Sequence, residues 1–251
     1  MMYFIRGLCV VVAIGAHFIS AEEPLRDRVY KGGTVEFGGY TWQTKQGARL
    51  GPAANRWSGS NVKITDDGGM RLRIDRDEQD RWSCAEARVT QPLGYGEYRW
   101  TIAGNLDAMD SHAVLGLFLY QDDRHEIDFE LSRWAGRGDT WNGQFAIMPS
   151  EDDAEMVRKG RVHRFDASGH TTLTISLLWT GDRVRDRCWS GSDTEAEPLT
   201  DWSFTYKDER IKPDPAQAHC IVNLWLTKAK SPGNARTQEV TITKFAFTPE
   251  K

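Results

Sequence analysis

Beyond its first twenty or so residues the chain alternates. Short runs in which apolar and polar residues trade places are separated by clusters of Gly, Asp, Asn, Pro and Ser. A period of two is the pattern of strands buried on one face. The runs predict strands over Val35–Thr44, Asn61–Thr65, Met70–Asp75, Arg81–Thr90, Gly96–Ala103, His112–Gln121, His125–Ser132, Trp141–Met148, Val162–Phe165, Thr171–Thr180, Arg183–Trp189, Ser203–Tyr206, Cys220–Leu226 and Glu239–Thr248. No heptad, repeat or convincing helical period interrupts them. Many short strands at even spacing predict an all-β sandwich or jelly roll. No Pro-, Gly- or Ser-rich linker divides residues 22–251, which are expected to form one domain.

Met1–Ala21 differs: Arg6 precedes the apolar run Leu8–Ala16, and Ile19-Ser20-Ala21 ends on a small residue. This is the pattern of a secretory signal peptide, and it predicts a secreted or periplasmic protein that leaves the membrane once the signal is removed. Cys84, Cys188 and Cys220 then remain, an odd number for disulfides. The formal net charge is -4, so no basic excess exists to hold a nucleic acid. No Cys/His cluster has metal-ligand spacing, and no metal site is predicted. The 10 Trp in 251 residues are an unusual share for a polar chain. They serve either as core or as flat platforms for a ligand.

The segment Arg124-His125-Glu126-Ile127-Asp128-Phe129-Glu130-Leu131-Ser132 alternates strictly. Ile127, Phe129 and Leu131 share one face, so Glu126, Asp128 and Glu130 line up on the other. Three like charges on one strand repel, and acids are poor strand formers. Parity alone fits a solvated acidic face, a carboxylate calcium site, or a pair of carboxyls hydrolysing a glycosidic bond. In the last case one Glu attacks the anomeric carbon and the other shuttles the proton. Other strands also pair an apolar face with a polar or aromatic one: Glu86 with Arg88, Asn142 with Gln144, and Asn223 with Trp225.

Glu126-Ile127-Asp128-Phe129-Glu130 resembles the Glu-x-Asp-x-Glu signature of glycoside hydrolase family 16, the laminarinase- and lichenase-type β-glucanases. Cys84-Ala85-Glu86-Ala87-Arg88, Tyr95-Gly96-Glu97-Tyr98, Gly143-Gln144-Phe145 and Asn223-Leu224-Trp225 resemble further segments of that family in the same order, from about Tyr40 to Phe247. The resemblance implies a concanavalin-like β-jelly roll of two antiparallel sheets with a concave substrate face. It implies Glu126 as nucleophile, Asp128 as its assistant and Glu130 as acid/base, with retention through a glycosyl-enzyme intermediate. Glu86, Arg88, Gln144, Asn223 and Trp225 are the expected substrate-binding residues, with Trp57 and Trp134 as further platforms. For each Trp the alternative is burial in the core. Trp42, Trp100 and Trp179 are assigned to the core, and His125 to the start of a strand.

The expected activity is endo-hydrolysis of β-1,3 or β-1,4 glucans by a monomer without a cofactor. Relatives often carry a structural calcium ion, for which this sequence shows no signal. A lectin-like glucan-binding module and a transglycosylase using the same acids are the alternatives. Two departures from the family pattern stand out. Ala146 replaces the Asn found in lichenases, and Cys84 lacks the partner of the lichenase disulfide.

Overall fold

A computed structural model describes residues 28–136 and 140–251. The expected signal peptide, Met1–Ala21, lies outside the described residues. In chain order the strands are β1 Thr34–Phe37, β2 Tyr40–Thr44, β3 Gly47–Leu50, β4 Asn55–Trp57, β5 Val62–Ile64, β6 Met70–Arg76, β7 Trp82–Ser83, β8 Ala85–Val89 and β9 Gly96–Ala103. They continue with β10 Ala113–Asp122, β11 His125–Ser132, β12 Gly143–Ile147, β13 Val162–Phe165, β14 Thr172–Trp179, β15 Arg183–Ser190, β16 Thr200–Thr205, β17 His219–Leu226 and β18 Gln238–Pro249. Among the described residues one short α-helix, α1 Asp153–Arg158, stands between β12 and β13.

Two antiparallel sheets carry the fold. The front sheet runs β1-β2-β8-β17-β10-β11-β12-β13 and the back sheet runs β16-β15-β14-β9-β18-β6-β5, with β7 paired to β6. This is the expected β-jelly-roll sandwich. Alternation explains how it closes. Ile127, Phe129 and Leu131 of β11, Leu115, Leu117 and Leu119 of β10, and Val222 and Leu224 of β17 are all buried in the core. Leu72, Trp100, Ile175 and Val184 meet them from the back sheet. Trp42, Trp100 and Trp179 are fully buried, as their parity requires.

The strand boundaries shift where backbone chemistry overrides the pattern. The run Val35–Thr44 is a hairpin, because Gly38 and Gly39 both take positive φ (60° and 83°) and turn the chain between β1 and β2. Arg81–Thr90 breaks at Cys84, which bridges Trp57 instead of extending β7. The β3–β4 hairpin and α1 are additions that the sequence pattern did not predict. The helix has only six residues, too few to show a period, and starts from an Asp152 side chain that accepts the Glu155 N–H. In β18 the register shifts between Ile242 and Lys244, so that Val240, Ile242 and Phe245 all reach the core. Phe245 then meets the Trp42 ring edge-on at 5.2 Å.

Cys84, Cys188 and Cys220 are free and buried. Burial pushes the thiols of Cys84 and Cys188 up to about 12. Among the described residues no helix is long and apolar enough to cross a membrane.

Candidate active site

Register across the front sheet builds the site. Glu130 pairs with Gly116 of β10 and with Gln144 of β12. Gly116 pairs with Asn223 of β17, and Asn223 with Glu86 of β8. One transverse row therefore reads Glu86–Asn223–Gly116–Glu130–Gln144. The next row reads Arg88–Ile221–Phe118–Asp128–Ala146. A third places Tyr120 beside Glu126. Residues of one row share a face of the sheet, so the three acids of β11 meet polar and aromatic partners from four other strands.

This face floors a cleft of about 880 Å³. Glu126, Asp128 and Glu130 line it with Glu86, Gln144, Asn223, Trp134 and Trp225. Asp128 is buried among them, and its Oδ2 has no hydrogen-bond partner. Burial pushes the carboxyls of Glu126 and Glu130 up to about 8 and holds that of Asp128 well above the carboxylate range. The neighbouring acids raise Asp128 further. The hydrogen bond between Asp128 and Glu126 also raises Asp128 and pulls Glu126 back down. Gln144 Nε2 stands 3.5 Å from Glu130 Oε2 and favours that carboxylate.

Glu86 is held on both oxygens. Tyr30 Oη donates to its Oε1 at 2.6 Å, Lys45 Nζ lies 2.9 Å from the same oxygen, and Asn223 Nδ2 donates to Oε2 at 3.2 Å. Lys45 also donates to Gly51 O at 2.7 Å, tying the segment after β3 to the cleft wall. Asn223, with its amide nitrogen committed to Glu86, keeps a buried and unpartnered Oδ1.

Two expected binding residues stand outside the lining. Trp57 is 1% exposed, donates its indole N–H to Leu50 O and lies beneath Lys45 Nζ at 4.3 Å from the ring centroid. It belongs to the core, because the β3–β4 hairpin turns it inward. Arg88 stacks its guanidinium 4.1 Å from the Tyr30 ring centroid and donates to Gln43 Oε1 at 3.1 Å. It backs the cleft wall through Tyr30. Trp225 and Trp134 do line the cleft and meet edge-on at 6.5 Å. Trp225 is only 9% exposed and also packs on the core. His125 is bound between Asp122 Oδ1 (2.6 Å) and Arg210 O (2.9 Å) at the start of β11, away from the acids' face.

The sequence reading missed Tyr30, Lys45, Phe118, Tyr120 and Asp123, which line the same cleft. Parity placed Lys45 within reach: Trp42 and Thr44 are buried inward, so Gln43 and Lys45 fall on the other face. Phe118 and Tyr120 had no such signal. Ala113–Tyr120 is apolar at nearly every position, and a run of that kind does not reveal which face is which. Among the described residues no group of His, Cys, Asp and Glu side chains is arranged to hold a metal ion.

Comparison with known proteins agrees with the fold. No protein-family model matches the chain. It is 31% identical over 101 residues to a β-glucanase of Paenibacillus polymyxa, covering 38% of this chain and 41% of that protein. The chain thus spans about two fifths of the length of the curated relative it matches. Among solved structures, a Bacillus licheniformis β-glucanase superposes with a TM-score of 0.63 at 20% identity, over 88% of this chain and 100% of that one. A family 16 endo-glucanase from Bacteroides ovatus superposes with a TM-score of 0.59 at 11% identity, over 82% and 94%. A Mycobacterium tuberculosis protein described as an immunostimulatory antigen and pseudo β-1,3-glucanase superposes with a TM-score of 0.60 at 17% identity, over 84% and 91%. The chain has the fold of the glycoside hydrolase family 16 β-glucanases and shares with β-glucanases a stretch of recognisable sequence.

Proposed function

We propose that the protein is a glucan-degrading glycoside hydrolase that cleaves internal β-1,3 or β-1,4 bonds with retention. One observation carries the reading: Glu126, Asp128 and Glu130 share one strand face and line a large cleft with polar and aromatic side chains, and burial raises Glu130, the group that must deliver a proton. Glu126 would attack the anomeric carbon while Glu130 gives its proton to the leaving oxygen. Water, deprotonated by Glu130, would then release the sugar from Glu126. Asp128, donating to Glu126, would stabilise the carboxylate form needed for attack. Two carboxyls and water balance this reaction, so it requires no cofactor.

Trp134 and Trp225 would stack on pyranose rings, and the unpartnered Asn223 Oδ1 would accept a sugar hydroxyl. The acidic lining favours an uncharged polymer. We further propose that residues 22–251 act as one domain in a secreted or periplasmic monomer once Met1–Ala21 is removed. The fold is also that of a pseudo-glucanase, so turnover must be measured. A reducing-sugar screen on laminarin, lichenan and β-1,4-glucans, with NMR of the first product, tests the reading. Retained anomers are expected. An inverted anomer refutes retention, and binding without any release points to a glucan-binding module.

A further inference from the structure

Arg164 of β13 lies across from Gln144 of β12 in the sheet register, one strand beyond the row that contains Glu130. Its Nε donates to Gln144 Oε1 at 3.1 Å. A guanidinium can only donate, so this contact fixes which end of the Gln144 amide faces which neighbour. The oxygen must face Arg164, and Nε2 is left to face Glu130. Arg164 is itself fixed. Both of its terminal nitrogens hold the carboxylate of Asp153, the first residue of α1, and its guanidinium lies 4.6 Å from the Trp141 ring centroid. Without the arginine, the Gln144 amide is free to flip and present its oxygen to Glu130.

We infer that Arg164 is a positioning residue, which through Gln144 holds a hydrogen-bond donor against the acid/base Glu130. The inference deepens the proposed function and rests on the role given there to Glu130. In hydrolysis Glu130 must first hold a proton and then, as a carboxylate, take one from water. A fixed donor 3.5 Å from Oε2 favours the second form. The other titratable groups lining the cleft with Glu130 are Glu126 and Asp128 on β11, Asp123 in the turn before it, Tyr120 on β10, Glu86 on β8, Lys45 after β2 and Tyr30. Glu86 and Lys45 are paired to each other. The donor from Gln144 is thus the contact through which β13 reaches the acid.

The test is Arg164→Met, followed by the pH dependence of kcat/KM and by carboxyl-carbon NMR titration of Glu130. Losing one long hydrogen bond to a carboxylate should move the alkaline limb and the Glu130 titration upward by roughly half a unit. Asp153→Asn cuts the tie to α1 while leaving Arg164 on Gln144, and serves as the stability control. If Arg164→Met lowers Tm as Asp153→Asn does but leaves the Glu130 titration in place, Arg164 is only a structural tie and the inference fails. Should Arg164→Met not fold, Arg164→Lys is titrated instead. It keeps a cation for Asp153 but lacks the fork that reaches both partners, so the same upward shift is expected, and an unmoved titration overturns the inference. If the wild-type protein cleaves no glucan, the proposed hydrolase fails, while the titration of Glu130 still decides the role of Arg164.

Discussion

Asn223 and Glu130 stand in one row of the front sheet with only Gly116 between them. A Cβ on Gly116 would come within 2.6 Å of Asn223 Oδ1. The missing side chain keeps the cleft floor open between the acid and the amide. Gly116→Ala should force Asn223 to rotate off Glu86, which now accepts from it at 3.2 Å. The expected result is a drop in kcat/KM of about tenfold, matching roughly 1.4 kcal/mol of local strain, with a folded protein. Steady-state kinetics beside a melting curve check it; wild-type kinetics would show that Asn223 needs no fixed position.

Stability should fall as the pH rises through neutrality. Burial raises the Glu126 and Glu130 carboxyls to about 8 in the folded protein, against an ordinary 4.5. Between those values the folded chain binds more protons than the unfolded one. The stabilisation is therefore complete below about 4.5 and is lost as pH rises to about 8, at about 1.4 kcal/mol per unit of raised pKa. Glu126→Gln and Glu130→Gln should each flatten this slope and raise Tm at pH 8, while abolishing hydrolysis. Melting curves at several pH values decide it, and a Tm that climbs from pH 5 to 8 in the wild type contradicts the assignment.

Lys45 is expected to matter more for stability than for the reaction step. Its ammonium lies 2.9 Å from the buried Glu86 carboxylate and bonds Gly51 O. Lys45→Met removes that cation and should cost about 2 kcal/mol or more in denaturant unfolding. Lys45→Met/Glu86→Gln should recover much of the loss, because the stranded charge disappears with its partner.

The two cleft tryptophans should separate in their effects. Trp134 is half-buried, whereas Trp225 is 9% exposed and packed on the core. Trp134→Ala should weaken oligosaccharide binding about fivefold with little change in Tm. Trp225→Ala should weaken binding and also cost about 3 kcal/mol of stability, by opening a cavity. Calorimetric titration with a glucan oligosaccharide and chemical denaturation tell the two apart.

Alternation by itself determined the all-β class, most strand positions and the shared face of Glu126, Asp128 and Glu130. A one-residue slip would have put Ile127, Phe129 and Leu131 in water, so the pattern left a single parity. The same reasoning placed Glu86, Gln144, Asn223 and Trp225 on polar faces that do line the cleft. Parity could not say which strands lie side by side. Neighbours in the sheet come from distant parts of the chain, as when β8 pairs with β17 and β17 with β10, and only that order puts Glu86, Asn223 and Glu130 in one row. It also could not say that the β3–β4 hairpin turns Trp57 inward, since its short strands alternate too briefly to fix a face. Nor could it find Phe118 and Tyr120 in a run that is apolar on both sides, or Tyr30 and Arg164, whose roles come from partners 56 and 20 residues away. The sequence determined what each strand offers to either side, because side-chain direction is a local property of the backbone. The tertiary structure decided which of those offerings meet, because pairing depends on contacts far apart along the chain.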